Sequence, residues 1–173
     1  MDRKDLHRMI RVDQAGEFGA TRIYEGQLAV MGDRGPHSAE IRHMAAQEAE
    51  HRKKFDALLA KRGVRPTALH PFWSAAGYAL GAGTALLGPE AAMACTAAVE
   101  TEIDKHYSDQ LDALEASGAD PELAAMIAEF REEEREHRDS ALANGAERAP
   151  AYPLLAGAIR LGCRIAIRIS ERV

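Results

Sequence analysis

The sequence predicts an all-α fold, a four-helix bundle with an extra apolar connector helix and an amphipathic C-terminal helix. Three observations carry this. Hydrophobic residues make up 46% of the 173-residue chain but aromatics only 5%, so the core must be built from Ala, Leu, Ile, Val and Met. Such a composition favours helices over sheets. No segment alternates apolar and polar residues long enough to make a strand. All seven prolines fall between helix-length blocks or at their starts.

Those punctuation marks predict helices at roughly 3–31, 37–62, 71–87, 89–117, 121–144 and 151–171, in a single domain spanning 1–173. Asp120 as N-cap followed by Pro121 and Glu122 is a strong start signal, and Gly63, Gly118 and Gly145 are plausible stops. In the first block an inward stripe with steps of three and four runs Ile10, Gln14, Glu17, Thr21, Tyr24, Leu28 and Met31. In the second it runs Ile41, Met44, Glu48, His51, Phe55 and Leu58. The fourth block repeats the pattern with Met93, Thr96, Glu100, Ile103, Tyr107, Gln110 and Leu114. The fifth has Leu123, Ile127, Phe130, Glu134, His137 and Ala141.

The acids on these stripes stand where a bundle would otherwise place Leu or Phe. Gln47-Glu48-Ala49-Glu50-His51-Arg52 is matched by Glu133-Glu134-Arg135-Glu136-His137-Arg138, and each copy contains Glu-x-x-His. That spacing puts carboxylate and imidazole on one helix face. One such motif in a charged helix means little, because a charge run usually forms a solvated face. Two copies, each preceded by a helix with one inward Glu, describe an approximately duplicated hairpin supplying the ligands of a carboxylate-bridged metal pair. Glu133 could also reach His137 at a spacing of four, but the register shared with Gln47 selects Glu134. Asp13, Glu25, Glu50, Glu102, Glu132 and Glu136 lie off the stripes and are expected around the site or on the surface.

Charge explains why a metal is needed. Four carboxylates facing one core repel one another, and each loses several kcal/mol of hydration if buried charged and unpaired. Two divalent ions supply the missing charge. Carboxylate with imidazole suits iron or manganese, with zinc open on ligand type alone. Cys95 and Cys163 stand alone in apolar stretches without a Cys-x-x-Cys, so thiolate metal sites are unsupported and free thiols in a reducing compartment are expected.

The net charge of −5 argues against general nucleic-acid binding. The C-terminal block is nevertheless basic, with Arg160, Arg164, Arg168 and Arg172 against Glu171. Around this ladder stand Ile159, Leu161, Cys163, Ile165, Ile167 and Ile169, so the helix can bury an apolar flank while guanidinium groups reach anionic headgroups. The stretch Pro71–Pro89 carries no formal charge and nearly half of it is Ala or Gly. A short helix half-buried in one leaflet and a helix packed over the bundle are both open for it. With the basic tail, the expectation is one-sided membrane association through about 71–88 and 151–171. The start, Met1-Asp2-Arg3-Lys4-Asp5, lacks the apolar core of a secretory signal, so a bacterial cytoplasmic setting is expected, with a processed organelle protein as the alternative.

From near Met9 to the C-terminus the chain resembles the demethoxyubiquinone hydroxylases of ubiquinone biosynthesis. The resemblance rests on Ile10-Arg11-Val12-Asp13-Gln14-Ala15-Gly16-Glu17, on Gly81-Ala82-Gly83-Thr84-Ala85-Leu86-Leu87-Gly88 and on Ala92-Met93-Ala94-Cys95-Thr96. Both Glu-x-x-His segments and the ending Ser170-Glu171-Arg172 also match. Gln14 stands where animal members have His. The resemblance implies a ferritin-like bundle holding two iron ions through Glu17, Glu48, His51, Glu100, Glu134 and His137. It implies hydroxylation of a polyprenyl demethoxyubiquinol ring with O2 as co-substrate, the quinol itself able to supply reducing equivalents. His106 and Tyr107 resemble a pair proposed to assist proton or electron transfer, although a structural hydroxyl is an equally fair reading of Tyr107. Also implied are the cytoplasmic face of a bacterial inner membrane, or the matrix side of a mitochondrial one, and a lipid-binding partner protein. Exposed apolar surface suggests a homo-oligomer. The alternatives are another di-iron protein, either a ferroxidase or iron-storage protein or a peroxide-reducing one, and a membrane-bound interaction module.

Overall fold

The computed structural model describes residues 1–172; Val173, the last residue of the expected domain, lies outside them. The elements are α1 (Arg3–Met31), α2 (Ser38–Arg62), α3 (His70–Leu86), α4 (Pro89–Ser117), α5 (Pro121–Ala143) and α6 (Tyr152–Ser170). Each expected helix end lies within one residue of the observed one. A 3-10 turn at Ala146–Arg148, which periodicity does not reveal, joins α5 to α6.

Local chemistry sets the helix ends. The Asp2 carboxylate accepts from the Lys4 and Asp5 amides at 2.7 and 2.9 Å, and Asp5 returns the bond to the Asp2 amide. Asp120 accepts from the Leu123 amide at 3.1 Å with Pro121 at the first helical position. Gly63 and Gly118 close α2 and α4 in the left-handed conformation. Gly145 stands two residues beyond the end of α5, directly after the Asn144 cap.

α1, α2, α4 and α5 form the bundle, with neighbouring helices antiparallel. Contacts between α2 and α5 run from Glu40–Ser140 at one end to Arg62–Asp120 at the other. Those between α1 and α4 run from Gln27–Ala92 to Asp13–Gln110. α2 therefore ends at the opposite end of the bundle from the start of α4. α3 climbs this height alongside α1, from Phe18 stacked on His70 to Gly26 against Ala82. The approach is backbone to backbone. A Cβ on Gly81 would sit 1.9 Å from the Ile23 carbonyl oxygen, and one on Gly26 would sit 2.2 Å from that of Tyr78. The glycines of the apolar connector thus serve contact with α1.

α6 descends parallel to α4 and is tied to it by charge. Arg160 Nε lies 2.7 Å from Glu102 Oε1, and Arg164 lies 3.7 Å from the same oxygen. This corrects two expectations. Glu102 is a buried acid that anchors α6 rather than a residue of the surface or of the site's surroundings. Only Arg168 and Arg172 of the ladder lack an ion-pair partner among the described residues.

Within the four-helix bundle the apolar core lies in two parts, and a third cluster, of Ile23, Cys95, Ala98, Val99, Ala156 and Ile159, packs α6 against α1 and α4. Tyr24, Ile41, Met44, Met93, Ala97 and Ala141 fill one end of the bundle. Ile10, Phe55, Leu114, Leu123, Ile127 and Phe130 fill the other. Between them sits a layer of buried acids and histidines.

Candidate metal centre

Glu17 of α1, Glu48 and His51 of α2, Glu100 of α4, and Glu134 and His137 of α5 meet in this layer, each no more than 3% exposed. Their ligand-type atoms form two groups, Glu17, Glu48, His51 and Glu134 on one side and Glu48, Glu100, Glu134 and His137 on the other. Within each group these atoms lie within 4.8 Å of one another. Glu48 and Glu134 belong to both, as bridging carboxylates would, and each group has one imidazole and one further acid of its own.

Both rings present Nδ1 to the cluster. His51 Nδ1 is 3.0 Å from Glu134 Oε1 and 3.4 Å from Glu17 Oε2. His137 Nδ1 is 3.2 Å from both Glu48 Oε1 and Glu134 Oε2. The outer nitrogens have partners: Nε2 of His51 contacts Glu133, and Nε2 of His137 is 3.0 Å from Gln47 Oε1. An Nε2–H donated outward would leave Nδ1 free to offer its lone pair once a metal ion replaces the proton that this nitrogen otherwise turns toward the acids.

Two tyrosines hold the acids contributed by α1 and α4. Tyr24 on α1 donates to Glu100 Oε1 at 3.0 Å, and Tyr107 on α4 donates to Glu17 Oε1. Tyr24 follows Glu17 at the spacing at which Tyr107 follows Glu100, so the pairs are exchanged copies of one arrangement. His106 does not reach the cluster. Its Nε2 meets Asp13 Oδ1 at 3.0 Å and the Gln110 amide at 2.9 Å, and Asp13 is itself buried.

Without cations the layer is short of positive charge. Glu17 Oε2, Glu48 Oε1, His51 Nδ1 and Glu134 Oε1 are buried without a hydrogen-bonding partner, the His51 contacts being poorly aligned for one. Burial and then the neighbouring Glu134 push Glu48 and Glu100 well above the usual carboxylate range. Burial acts in the same direction on Glu134, but His137 and His51 outweigh it and hold this acid down at about 2. Burial disfavours the His51 cation, yet Glu134 and Glu17 outweigh it and raise the ring to about 11. The cluster thus calls for added positive charge, and the orphaned ligand atoms of this oxygen and nitrogen set fit a pair of divalent cations.

Sequence periodicity missed three side chains that brace this layer. Tyr24 was visible only as a stripe residue, although its spacing from Glu17 copies that of Tyr107 from Glu100. Gln47 and Glu133 carried a signal as well, being equivalent positions in the duplicated segment. Their partners are the histidines on the opposite helix, which spacing along one helix cannot show.

Fold and site together define a class, the helical bundles whose core carries a duplicated carboxylate–histidine cluster able to hold two metal ions. Within it the family can be specified. Residues 4–170 match the family model described as Ubiquinone biosynthesis protein COQ7, and the chain belongs to that family. It is 58% identical to the 3-demethoxyubiquinol 3-hydroxylase of Rhodospirillum rubrum over 97% of this chain and 78% of that protein. Over its whole length it is 50% identical to 80% of the mitochondrial NADPH-dependent 3-demethoxyubiquinone 3-hydroxylase of Bos taurus. The mitochondrial 5-demethoxyubiquinone hydroxylase of Saccharomyces cerevisiae is 43% identical over 97% of this chain and 78% of the yeast protein.

Proposed function

We propose that this protein hydroxylates the ring of a demethoxyubiquinol with O2, as a monooxygenase of ubiquinone biosynthesis, at a pair of iron ions. Glu17, Glu48, His51, Glu100, Glu134 and His137 are the ligands in this reading. The observation that carries it is the buried cluster of six ligand side chains that four helices bring together, four of their ligand atoms without a hydrogen-bonding partner, in a member of this family. At a metal site, ring hydroxylation by O2 needs an ion that changes oxidation state, which selects iron over zinc for this reaction. A reduced iron pair supplies the electrons and Lewis acidity that O2 activation requires.

The chain's own residues then bind, orient and protect. An apolar cavity of about 660 Å³ lies on the outer side of α1 and α4, walled by α3 and α6. Gly16 and Gly19 of α1 and Val99 and Ile103 of α4 line its floor, with Phe72 and Trp73 on one wall and Ile159 and Cys163 on the other. Gly16 precedes Glu17 in the chain, and Ile103 lies about one turn from Glu100. A polyprenyl tail suits this lining, which excludes water and brings the ring beside the cluster. Tyr107 holds its proton at Oη toward Glu17, and burial keeps the phenol protonated, so it orients that acid. His106 serves one step further out, fixing Asp13 beside the same segment of α1.

The two helices proposed to face the membrane, α3 and α6, are the walls of this cavity. No helix among the described residues is long and apolar enough to cross a bilayer. Phe72 and Leu86 on α3, Leu87 just after it, and Leu154, Leu161, Ile165 and Ile169 on α6 are exposed. Arg168 in α6 and Arg172 just beyond its end add positive charge. This surface supports peripheral binding to an anionic bilayer from which the quinol enters, at the cytoplasmic face of a bacterial inner membrane. A lipid-binding partner or a second copy of the chain would compete for the same face.

One assay tests the reaction. Iron-loaded protein is given isotopically labelled O2 and a short-tailed demethoxyubiquinol, and the product is weighed. The expected product carries one labelled oxygen atom on the ring. Iron mineralisation without a ring product would support storage, and an unchanged quinol would overturn the assignment.

A further inference from the structure

Each histidine of the cluster is gripped from behind by the residue just ahead of the Glu-x-x-His motif on the opposite helix. Glu133 of α5 meets Nε2 of His51 on α2, and Gln47 of α2 meets Nε2 of His137 on α5. Gln47 and Glu133 occupy equivalent positions of the duplicated segment, so the exchange is geometrically reciprocal. Chemically it is not. One imidazole donates to a carboxylate and the other to a neutral amide oxygen. The tyrosine pairs of the same layer are chemically alike on both halves, Tyr24 on Glu100 and Tyr107 on Glu17.

We infer that Gln47 and Glu133 are positioning residues that make the two metal positions unequal, the His51 position being the more electron-rich. This rests on the reading of the six-residue cluster as a di-iron centre. With Nδ1 turned to the cluster, each ring must carry its hydrogen on Nε2. A carboxylate accepting that hydrogen draws the ring toward imidazolate character and strengthens it as a ligand. An amide oxygen fixes the same ring orientation with less transfer of charge. The stronger ligand stabilises the higher oxidation state at the His51 position. A duplicated site with two similar halves thereby acquires a direction, set by residues that touch neither metal nor substrate.

The test is Mössbauer spectroscopy of the iron-loaded protein with isotopically enriched iron, on four proteins: wild type, Gln47→Glu, Glu133→Gln and the double exchange. Wild type is expected to show two resolved quadrupole doublets of equal area. Either single variant gives both histidines the same kind of partner, and the doublets are expected to converge. The double exchange restores one acid and one amide, and the wild-type separation with it. A packing defect would not be reversed by adding a second substitution. In a companion measurement, Glu133→Ala is expected to weaken iron binding roughly 10- to 100-fold, with recovery in Glu133→Asp or Glu133→Gln. Two irons per chain with the same doublet separation in all four proteins would overturn the inference and leave the centre intact. A folded double exchange that fails to regain the wild-type separation would overturn it too. Absence of iron from the wild-type protein would instead sink the metal reading itself.

Discussion

Tyr24 on α1 donates its hydroxyl to Glu100 on α4 across 3.0 Å, while Tyr107 on α4 donates to Glu17 on α1. The two hairpins are therefore clasped across the acid layer by exchanged copies of one bond. Removing either hydroxyl strips a buried carboxylate of its donor, which costs on the order of 1–3 kcal/mol. Tyr24→Phe and Tyr107→Phe are each expected to lower the unfolding free energy of the iron-free protein by about this much. Urea denaturation followed by circular dichroism measures it. Wild-type stability in both variants would contradict the role given to these bonds.

Acid–base linkage makes a second prediction. Glu48 and Glu100 ionise near 4.5 in an unfolded chain but well above that in the folded one, because they are buried beside Glu134. Their protonated forms favour the metal-free fold, and that contribution disappears as pH rises from 4.5 through their folded values. His51 acts in the same sense, its contribution complete below 6.5 and lost as pH climbs through about 11. Glu134, held at about 2, contributes above 4.5 and loses that only in strong acid, outside this window. The melting temperature of chelator-treated protein is thus expected to fall between about pH 5 and about pH 9, and less steeply in Glu48→Gln. Iron displaces these protons, so the gap between loaded and unloaded protein should widen with pH. Parallel curves for wild type and Glu48→Gln would count against the cluster's electrostatics.

Glycines of α1 and α3 separate packing from substrate space. Gly81 is required by the α1–α3 approach, and Gly81→Ala is expected to destabilise by about 1–3 kcal/mol. Gly19 lines the cavity floor and has nothing within 4 Å of an added Cβ. Gly19→Ala is expected to be neutral or to stabilise by up to about 1 kcal/mol, since helix propensity improves without a clash. Gly19→Leu should fill the cavity and raise KM for a long-tailed quinol while iron content stays unchanged. Equal KM values with Leu at this position would place the substrate elsewhere.

The exposed apolar face of α3 and α6 carries the membrane prediction. Leu161→Asp with Ile165→Asp is expected to reduce co-sedimentation with phosphatidylglycerol-containing vesicles several-fold, with iron content maintained. Arg168→Gln should weaken the binding further at low salt than at high salt. Undiminished sedimentation in the double variant would assign this face to a protein partner instead.

Much of this was legible in the chain because helices encode their faces locally. Pro121 after Asp120, and Gly63 and Gly118 in the left-handed conformation, mark ends that any neighbour would leave in place. The duplicated Glu-x-x-His was legible for the same reason, since its residues share one face. What the sequence hid lies between helices. Glu102 reads as one more off-stripe acid until α6 brings Arg160 against it. Gln47 and Glu133 are half-exposed polar residues until α2 and α5 face each other in antiparallel register. Gly77 and Gly81 read only as part of an Ala- and Gly-rich connector, and the approach of α1 to α3 shows why side chains are excluded there and at Gly26.

The central claim is that four helices converge their acids and two imidazoles on a pair of iron ions. Anomalous diffraction at the iron edge from crystals of the iron-loaded protein tests it most directly. Two peaks are expected, one between Glu17 and His51 and the other between Glu100 and His137, with Glu48 and Glu134 spanning them. A layer free of anomalous signal in protein shown to contain iron, or peaks confined to the surface, would contradict the account.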